Sequence, residues 1–464
     1  MKSQSSLQWQ ASPRVRFATT PRRSQHGAAT LIVVMVLFFI ISLVAAYTSR
    51  NLIFEQRTAN NQYRSTQALE TAEAGLEWAI SMLNFARIGP ACVASASTAD
   101  SSFRQRYLNV DSSGRILPVN VALEPTCVAN ISGGWDCSCP TVPGASTLTP
   151  ASTTQVLPAF RVRFQRVMDP VNPALATNQP GVVRVQVVGC TRLDTAGDPC
   201  LTFDGQGAFN EARVVVSAML ALTGGASSPP QAALTARENV AITGVGYAAY
   251  NTGAAGSGVT VHAGGTISEP GATKLVSSAG NPGGTVSVIA SDSAFSAGTG
   301  MAMAPLPVGA GTFSTNDRMF AAFFNMRPEA MRAQQAGIEL TCPCNADHVR
   351  DKARLNPGRP IWVAGDLDVT TAGDIGSALE PVLMVVNGNL LFTLSGVNIY
   401  GLVYTRTNTW TSTGAGRIIG AAVAEGAIAG DTTATFAFDT DVMQRLRWNT
   451  GTFVRVPSSW KDFR

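Results

Sequence analysis

Charge is scarce in this chain. Only 14% of its 464 residues are Asp, Glu, Lys or Arg while 45% are hydrophobic, a balance that excludes a largely disordered polypeptide. Histidine is scarcer still, with His26, His262 and His348 alone. No Gly-x-Ser-x-Gly string accompanies them, which argues against a Ser-His-Asp hydrolase of the α/β type. There is no Gly-x-x-x-x-Gly-Lys-Ser/Thr string either. The glycine strings at Gly244-Val-Gly246 and Gly414-Ala-Gly416 precede no helix-forming run and read as turns, so a phosphate cradle is not expected. No Cys-x-x-Cys occurs, and the pairs Cys137/Cys139 and Cys342/Cys344 lie far apart without a supporting His, which argues against a zinc ribbon. Asp366, Asp368 and Asp374 are the densest acidic group; strand alternation puts Asp366 and Asp368 on one face, which could serve a cation or a sugar, and a solvated strand face is the preferred reading. No catalytic residue, cofactor or metal is expected.

Acidic residues are missing altogether before Gly27, where Lys2, Arg14, Arg16, Arg22 and Arg23 stand. The formal charge of +4 is therefore local, and the chain after Gly27 carries −1, which leaves no basic footprint for nucleic acid. Directly behind these cations runs Ala28 to Tyr47, twenty residues without a charge, long enough as a helix to cross a bilayer core. The preceding positive charge orients the N-terminal side to the cytoplasm, so everything after Tyr47 is expected to be exported. All eight cysteines lie in that exported part, which suits an oxidising compartment. Cys190 and Cys200 flank a polar turn and are the one pair expected to close as a disulfide-bridged hairpin. The apolar run exceeds the roughly 7 to 15 residues of an ordinary signal peptide. Val44 and Ala46 offer only a weak conventional cleavage site, and an uncleaved single-pass anchor is the other alternative.

Residues Arg50 to Asn84 contain no proline and one glycine, so the helix is expected to continue through them. Leu69, Ala72, Leu76, Ala79 and Leu83 form an apolar stripe with Glu70, Glu73 and Glu77 off it, which predicts one face packed on a domain. The string Arg22-Arg23-Ser24-Gln25-His26-Gly27, the apolar run and the long polar helix together resemble the leader of type IV pilins and pseudopilins. The pattern at Glu55, Arg57, Ala59 and Asn61, followed by Ala68-Leu-Glu-Thr-Ala-Glu-Ala-Gly-Leu76, is similar to the N-terminal region of PilX-type minor pilins. The resemblance spans residues 22 to 83. It implies a prepilin peptidase that cuts between Gly27 and Ala28, with Ala28 then N-methylated. One departure stands out: the fifth mature position, often glutamate in major pilins, is Ile32. A membrane anchor with an incidental stalk is the competing reading.

The length allows two folded domains after the stem. Residues 85–222 hold alternating runs at Phe160–Phe164, Gly181–Val188 and Ala212–Leu222, which predict an antiparallel sheet under the helix, a pilin-like α+β arrangement. Residues 223–235 read as a linker, and 236–447 as a mostly-β domain almost without helix patterning. There Val363-Ala-Gly-Asp-Leu-Asp-Val369 returns as Val386-Asn-Gly-Asn-Leu-Leu-Phe392, and Ile399-Tyr-Gly-Leu-Val-Tyr404 as Ile418-Ile-Gly-Ala-Ala-Val423. Such spacing predicts stacked coils of a parallel β-helix, with a β-sandwich as competitor. Asp439 to Arg447 reads as a short terminal helix, and 448–464 as a tail packed back on the body.

The expected function is non-enzymatic: a minor pilin-like subunit for the assembly, priming or tip of a type IV pilus or related type II secretion pseudopilus. Its partners would be other pilin and minor pilin subunits, the prepilin peptidase and the inner membrane, with no nucleic acid. It would sit in the inner membrane by a single pass and then in a pilus or pseudopilus at the cell surface. The alternatives are a surface adhesin that binds glycan or protein through the C-terminal β domain and, below that, a β-helical polysaccharide-degrading enzyme.

Overall fold

The computed structural model describes residues 26–462 except 112, 144–147, 149–156, 168–178, 193–202, 204–211, 244–247, 252–256, 269–273, 277–286, 297–314, 393–395, 407–408 and 432. Two compact units divide between Tyr63 and Arg64. The helix His26–Leu83 begins in the first, and its 58 residues, free of proline, correspond to about 87 Å at the ordinary rise. In the first unit its apolar side chains have no cover: Leu31 through Leu43 stand exposed, Phe38 at 72%. Among the described residues this is the one helix long and apolar enough to cross a membrane. Thr48 and Thr58 lie within it and donate their hydroxyls to carbonyls of the preceding turn, so neither demands an outside partner.

In the second unit the helix lies on an antiparallel sheet of six strands, in the order Thr452–Arg455, Arg213–Thr223, Val182–Cys190, Ala159–Gln165, Thr126–Ala129, Trp135–Ser138. The predicted stripe is the buried one: Ala72, Leu76, Ala79 and Leu83 are covered, and Leu69 packs beside them. Glu70, Glu73 and Glu77 face outward. Phe160, Val162 and Phe164 alternate into this core, while Arg161 and Arg163 turn to the other face and meet Glu124. Small residues set how closely helix and sheet approach. A Cβ on Gly189 would lie 2.4 Å from the Ala68 carbonyl oxygen and the Ala72 nitrogen, so only glycine fits there.

Thr223 and Thr452 are direct partners in this sheet, so residues 224–451 leave it and return at one point of one edge pair. What they build is mostly β, in two parallel sheets between which consecutive strands alternate from Ile338 to Phe438. One contains, in order, Ile338–Leu340, Ile361–Val363, Val382–Val386, Asn398–Thr405, Arg417–Ala424 and Thr435–Phe438. The other contains Cys344–Asn345, Leu367–Val369, Leu390–Phe392, Thr409–Ser412 and Ala427–Gly430. The echoes in the sequence are this register. Val363 pairs with Val386, Leu367 with Leu390, and Ile399 with Ile418. Gly401 and Gly420, the glycines of the second echo, stack on one another with φ of 149° and 135°, and a Cβ on Gly401 would meet the Val382 carbonyl oxygen at 1.9 Å. Val386, Phe392, Val403, Trp410 and Phe436 fill the interior between the sheets.

One coil is shared by both ends of the inserted stretch. Arg417–Gly420 pairs with Thr435–Phe438, and further along the same strand Ala422–Ala424 pairs with Leu234–Ala236. The strands Ala248–Asn251 and Val259–Ala263 then extend the stack beyond it.

Helices cover the outer face of the longer parallel sheet, which the expectation of a nearly helix-free domain did not include. Phe320, Phe323 and Phe324 of helix Thr315–Phe324 pack with Met443 and Leu446 of helix Thr440–Asn449 on Trp362, Leu383 and Tyr404. Both faces of this sheet are therefore buried. The second of these helices is the one expected at Asp439 to Arg447, and Asp439 caps it by accepting the Val442 N–H at 2.9 Å. The first follows a Gly- and Ala-rich stretch, and its apolar residues at 319, 320, 323 and 324 are too few to reveal a period by themselves.

Candidate assembly surface

Gly27 and Ala28 lie in the first turn of the described helix, and Ile32 follows one turn later with 61% of its surface exposed. Position 32 contributes apolar surface and no charge. From Leu31 to Val44 that surface runs around the whole helix, which distinguishes it from a helix meant to lie on a soluble core.

The other end of the helix is held by hydrogen bonds that no sequence pattern announces. Asn84, just past Leu83, donates through Nδ2 to the carbonyls of Ile80 (3.1 Å) and Phe453 (2.9 Å) and accepts the Phe453 N–H at 2.8 Å. Its amide thus pairs with the C-terminal strand as another strand residue would. Arg104 is buried nearby with no carboxylate among its described partners. Its guanidinium donates to the carbonyls of Leu83 (2.8 Å), Gly358 (3.1 Å), Asn449 (3.3 Å) and Gly451 (2.9 Å). Leu83 and Asn449 close two helices, so the cation sits on two negative dipole ends. Burial, with Arg359 adding repulsion, still lowers its pKa to about 9. Arg106 does the same for the loop that follows, donating to the carbonyls of Ile88, Gly89 and Cys139. Within the second unit Arg104 thus ties the end of the long helix at Leu83 to the inserted stretch at Gly358, Asn449 and Gly451. The legible trace is Ser102 with Gln105, a capping box that marks the short helix carrying Arg104 and Arg106.

The other residues singled out in the sequence are dispersed. Asp366 accepts the Asn389 N–H of the next coil at 2.6 Å, and Asp374 accepts the Asn398 side-chain amide at 2.8 Å, so both serve coil stacking. No group of three or more potential metal ligands occurs among the described residues. His348 completes the cap of helix Ala346–Leu355, while His262 bonds Asp292 at 3.0 Å. Hydrogen bonding from the Phe295 N–H, reinforced by His262, holds the Asp292 carboxyl below its ordinary range against the opposing effect of burial. The expected pairing of Cys190 with Cys200 lies outside the described residues, because Cys200 does. Three other pairs lie at disulfide distance: Cys92 with Cys139, Cys127 with Cys137, and Cys342 with Cys344. The first two staple the loop after the helix and the edge hairpin of the six-stranded sheet.

Residues 26–77 match the model of the family described as PilX N-terminal. No curated protein matches the chain. Among solved structures, the competence-associated pilin ComZ from Thermus thermophilus aligns over 86% of this chain and 97% of its own, at 11% identity and a TM-score of 0.21. What this chain is similar to, over the apolar helix and the start of its packed half, is the N-terminal region of PilX-type, pilin-like proteins.

Proposed function

We propose that the chain is a pilin-like subunit of a type IV pilus or of the related type II secretion pseudopilus, acting in priming or at the tip. The observation that carries this reading is the match over residues 26–77, which coincides with a bare apolar helix continuing without a break into a packed amphipathic half. In this reading a prepilin peptidase removes residues 1–27, Ala28 is methylated, and the stem waits in the inner membrane. It then exchanges lipid for equivalent helices of neighbouring pilin and minor pilin subunits as it enters a filament. Ile32 offers no carboxylate to a neighbour's amino terminus, which favours a terminal position over repeated use along the shaft. Deletion of the gene, with complementation by the wild-type chain, tests the assembly role: surface filaments are expected to be lost and restored. Immunogold labelling tests the position, and even labelling along the filament would exclude the tip.

A second reading concerns the inserted coils, read as a β-helix. They bud from one strand pair of the six-stranded sheet, as a module presented by a carrier would. Adhesion through this part is compatible with a place at the tip, and the polysaccharide-degrading alternative draws no support from Asp366 and Asp374, each of which spends one carboxylate oxygen on a bond between coils.

A further inference from the structure

Across the longer parallel sheet, Trp362, Val385, Tyr404 and Val423 are successive partners from coil to coil, and helix Thr315–Phe324 covers this row with aromatic rings. The next two positions of the row are Thr235 and His262. There the chemistry changes from apolar to polar. Leu234, Ala236, Val261 and Ala263 belong to the interior of the coils, so strand alternation turns Thr235 and His262 outward, side by side. A cleft of about 290 Å³ opens over them, near the lower end of the sizes usual for small-ligand sites, with Pro230, Phe323, Phe295 and Asp292 also in its walls.

Two features of the cleft call for a ligand. Thr235 is 2% exposed, yet its hydroxyl has no hydrogen-bond partner among the described residues. His262 stacks on Phe295 with ring centroids 4.3 Å apart and directs Nε2 at the Asp292 carboxylate. In the neutral tautomer that donates Nε2–H to Asp292, Nδ1 is an acceptor. The cleft thus offers one hydroxyl that both donates and accepts, one imidazole acceptor, and apolar walls. Among the described residues no lysine or arginine lines it, and Asp292 repels negative charge, which disfavours phosphates and acidic sugars. The same carboxylate is already engaged by His262 and by the Phe295 N–H at 3.0 Å, which disfavours a cation.

We propose that this cleft binds one ring of a neutral sugar, with Thr235 and His262 hydrogen-bonding its hydroxyls and Pro230 and Phe323 packing against its carbons. The inference deepens the reading of the inserted coils as a presented binding module and rests on it.

The test is titration of the full chain in detergent with glucose, galactose, mannose and N-acetylglucosamine, and with glucuronate and N-acetylneuraminate as charged controls. At least one neutral sugar is expected to bind, and the charged ones at least tenfold more weakly. Thr235→Val keeps the shape of the side chain and is expected to weaken binding at least tenfold without lowering the unfolding temperature; His262→Phe is expected to do likewise. Absence of binding by every neutral sugar, preference for a charged one, or wild-type affinity in Thr235→Val would overturn the proposal. Filament incorporation of Thr235→Val, read in the same strain, separates the two claims. Unchanged filaments with lost binding are expected. Loss of filaments in Thr235→Val would mean that the cleft serves assembly, which overturns the sugar site and leaves the pilin reading intact.

Discussion

Glu425 has no exposed surface, although it carries a carboxylate. Its Oε1 accepts from the Tyr404 hydroxyl (3.0 Å) and Arg406 Nε (3.2 Å), Oε2 has no partner among the described residues, Arg237 donates to its backbone carbonyl, and Asp317 shares Arg406. Burial outweighs these cations and pushes its pKa up to about 7. A carboxyl raised in the fold contributes stability that is whole below its unfolded value near 4.3 and is lost as pH climbs through about 7. The groups held low, Asp111 and Asp292, act with the opposite sign at more acidic pH. Unfolding between pH 5 and 7.5 is therefore expected to grow easier for the wild type, by on the order of 3 kcal/mol. In Glu425→Gln that slope should flatten, and equal slopes in calorimetry would refute the assignment. Gly189→Ala tests the approach of helix and sheet: its methyl group meets backbone atoms that cannot step aside, and a loss of about 1–3 kcal/mol in denaturant unfolding is expected. Neither residue is legible in sequence, since a lone Glu or Gly acquires its meaning only from what the fold brings against it. Arg104 is the same case, because its carbonyl partners lie up to 347 positions away.

Elements were more legible than residues wherever a period repeats. The stripe at 69–83 named the buried face of the long helix, and the echoes at 363/386 and 399/418 are the stacking register of the coils. A short helix has no room for a period, and Thr315–Phe324 escaped for that reason. Cysteine pairing escaped for another: the loop closed by Cys92 and Cys139 spans 47 positions and is set by tertiary structure. Peptide mapping without reduction is expected to recover Cys92–Cys139, Cys127–Cys137 and Cys342–Cys344 as linked pairs. The first should contribute about 4 kcal/mol by restricting the unfolded chain, and its absence from the map would contradict the loop's placement.

At the scale of the whole molecule, the inserted coils enter and leave at Thr223 and Thr452, which face each other across two strands. A chain with residues 226–449 replaced by a four-residue turn is expected to keep the six-stranded sheet, read as slow amide exchange in 159–165 and 182–190. It should unfold at lower temperature, because Arg104 loses the Gly358 and Asn449 carbonyls. Fast exchange throughout would mean that sheet and coils fold only together. This topology was not readable from the order of strands, since the strand that closes the sheet stands behind the whole insertion.

The fate of the bare apolar helix decides whether the chain is pilin-like in function, and the intact mass of the membrane-extracted chain tests it most directly. The mass expected is that of residues 28–464 plus one methyl group, less the hydrogens lost to disulfides. A chain that still began at Met1, or that began beyond Ala46, would contradict it.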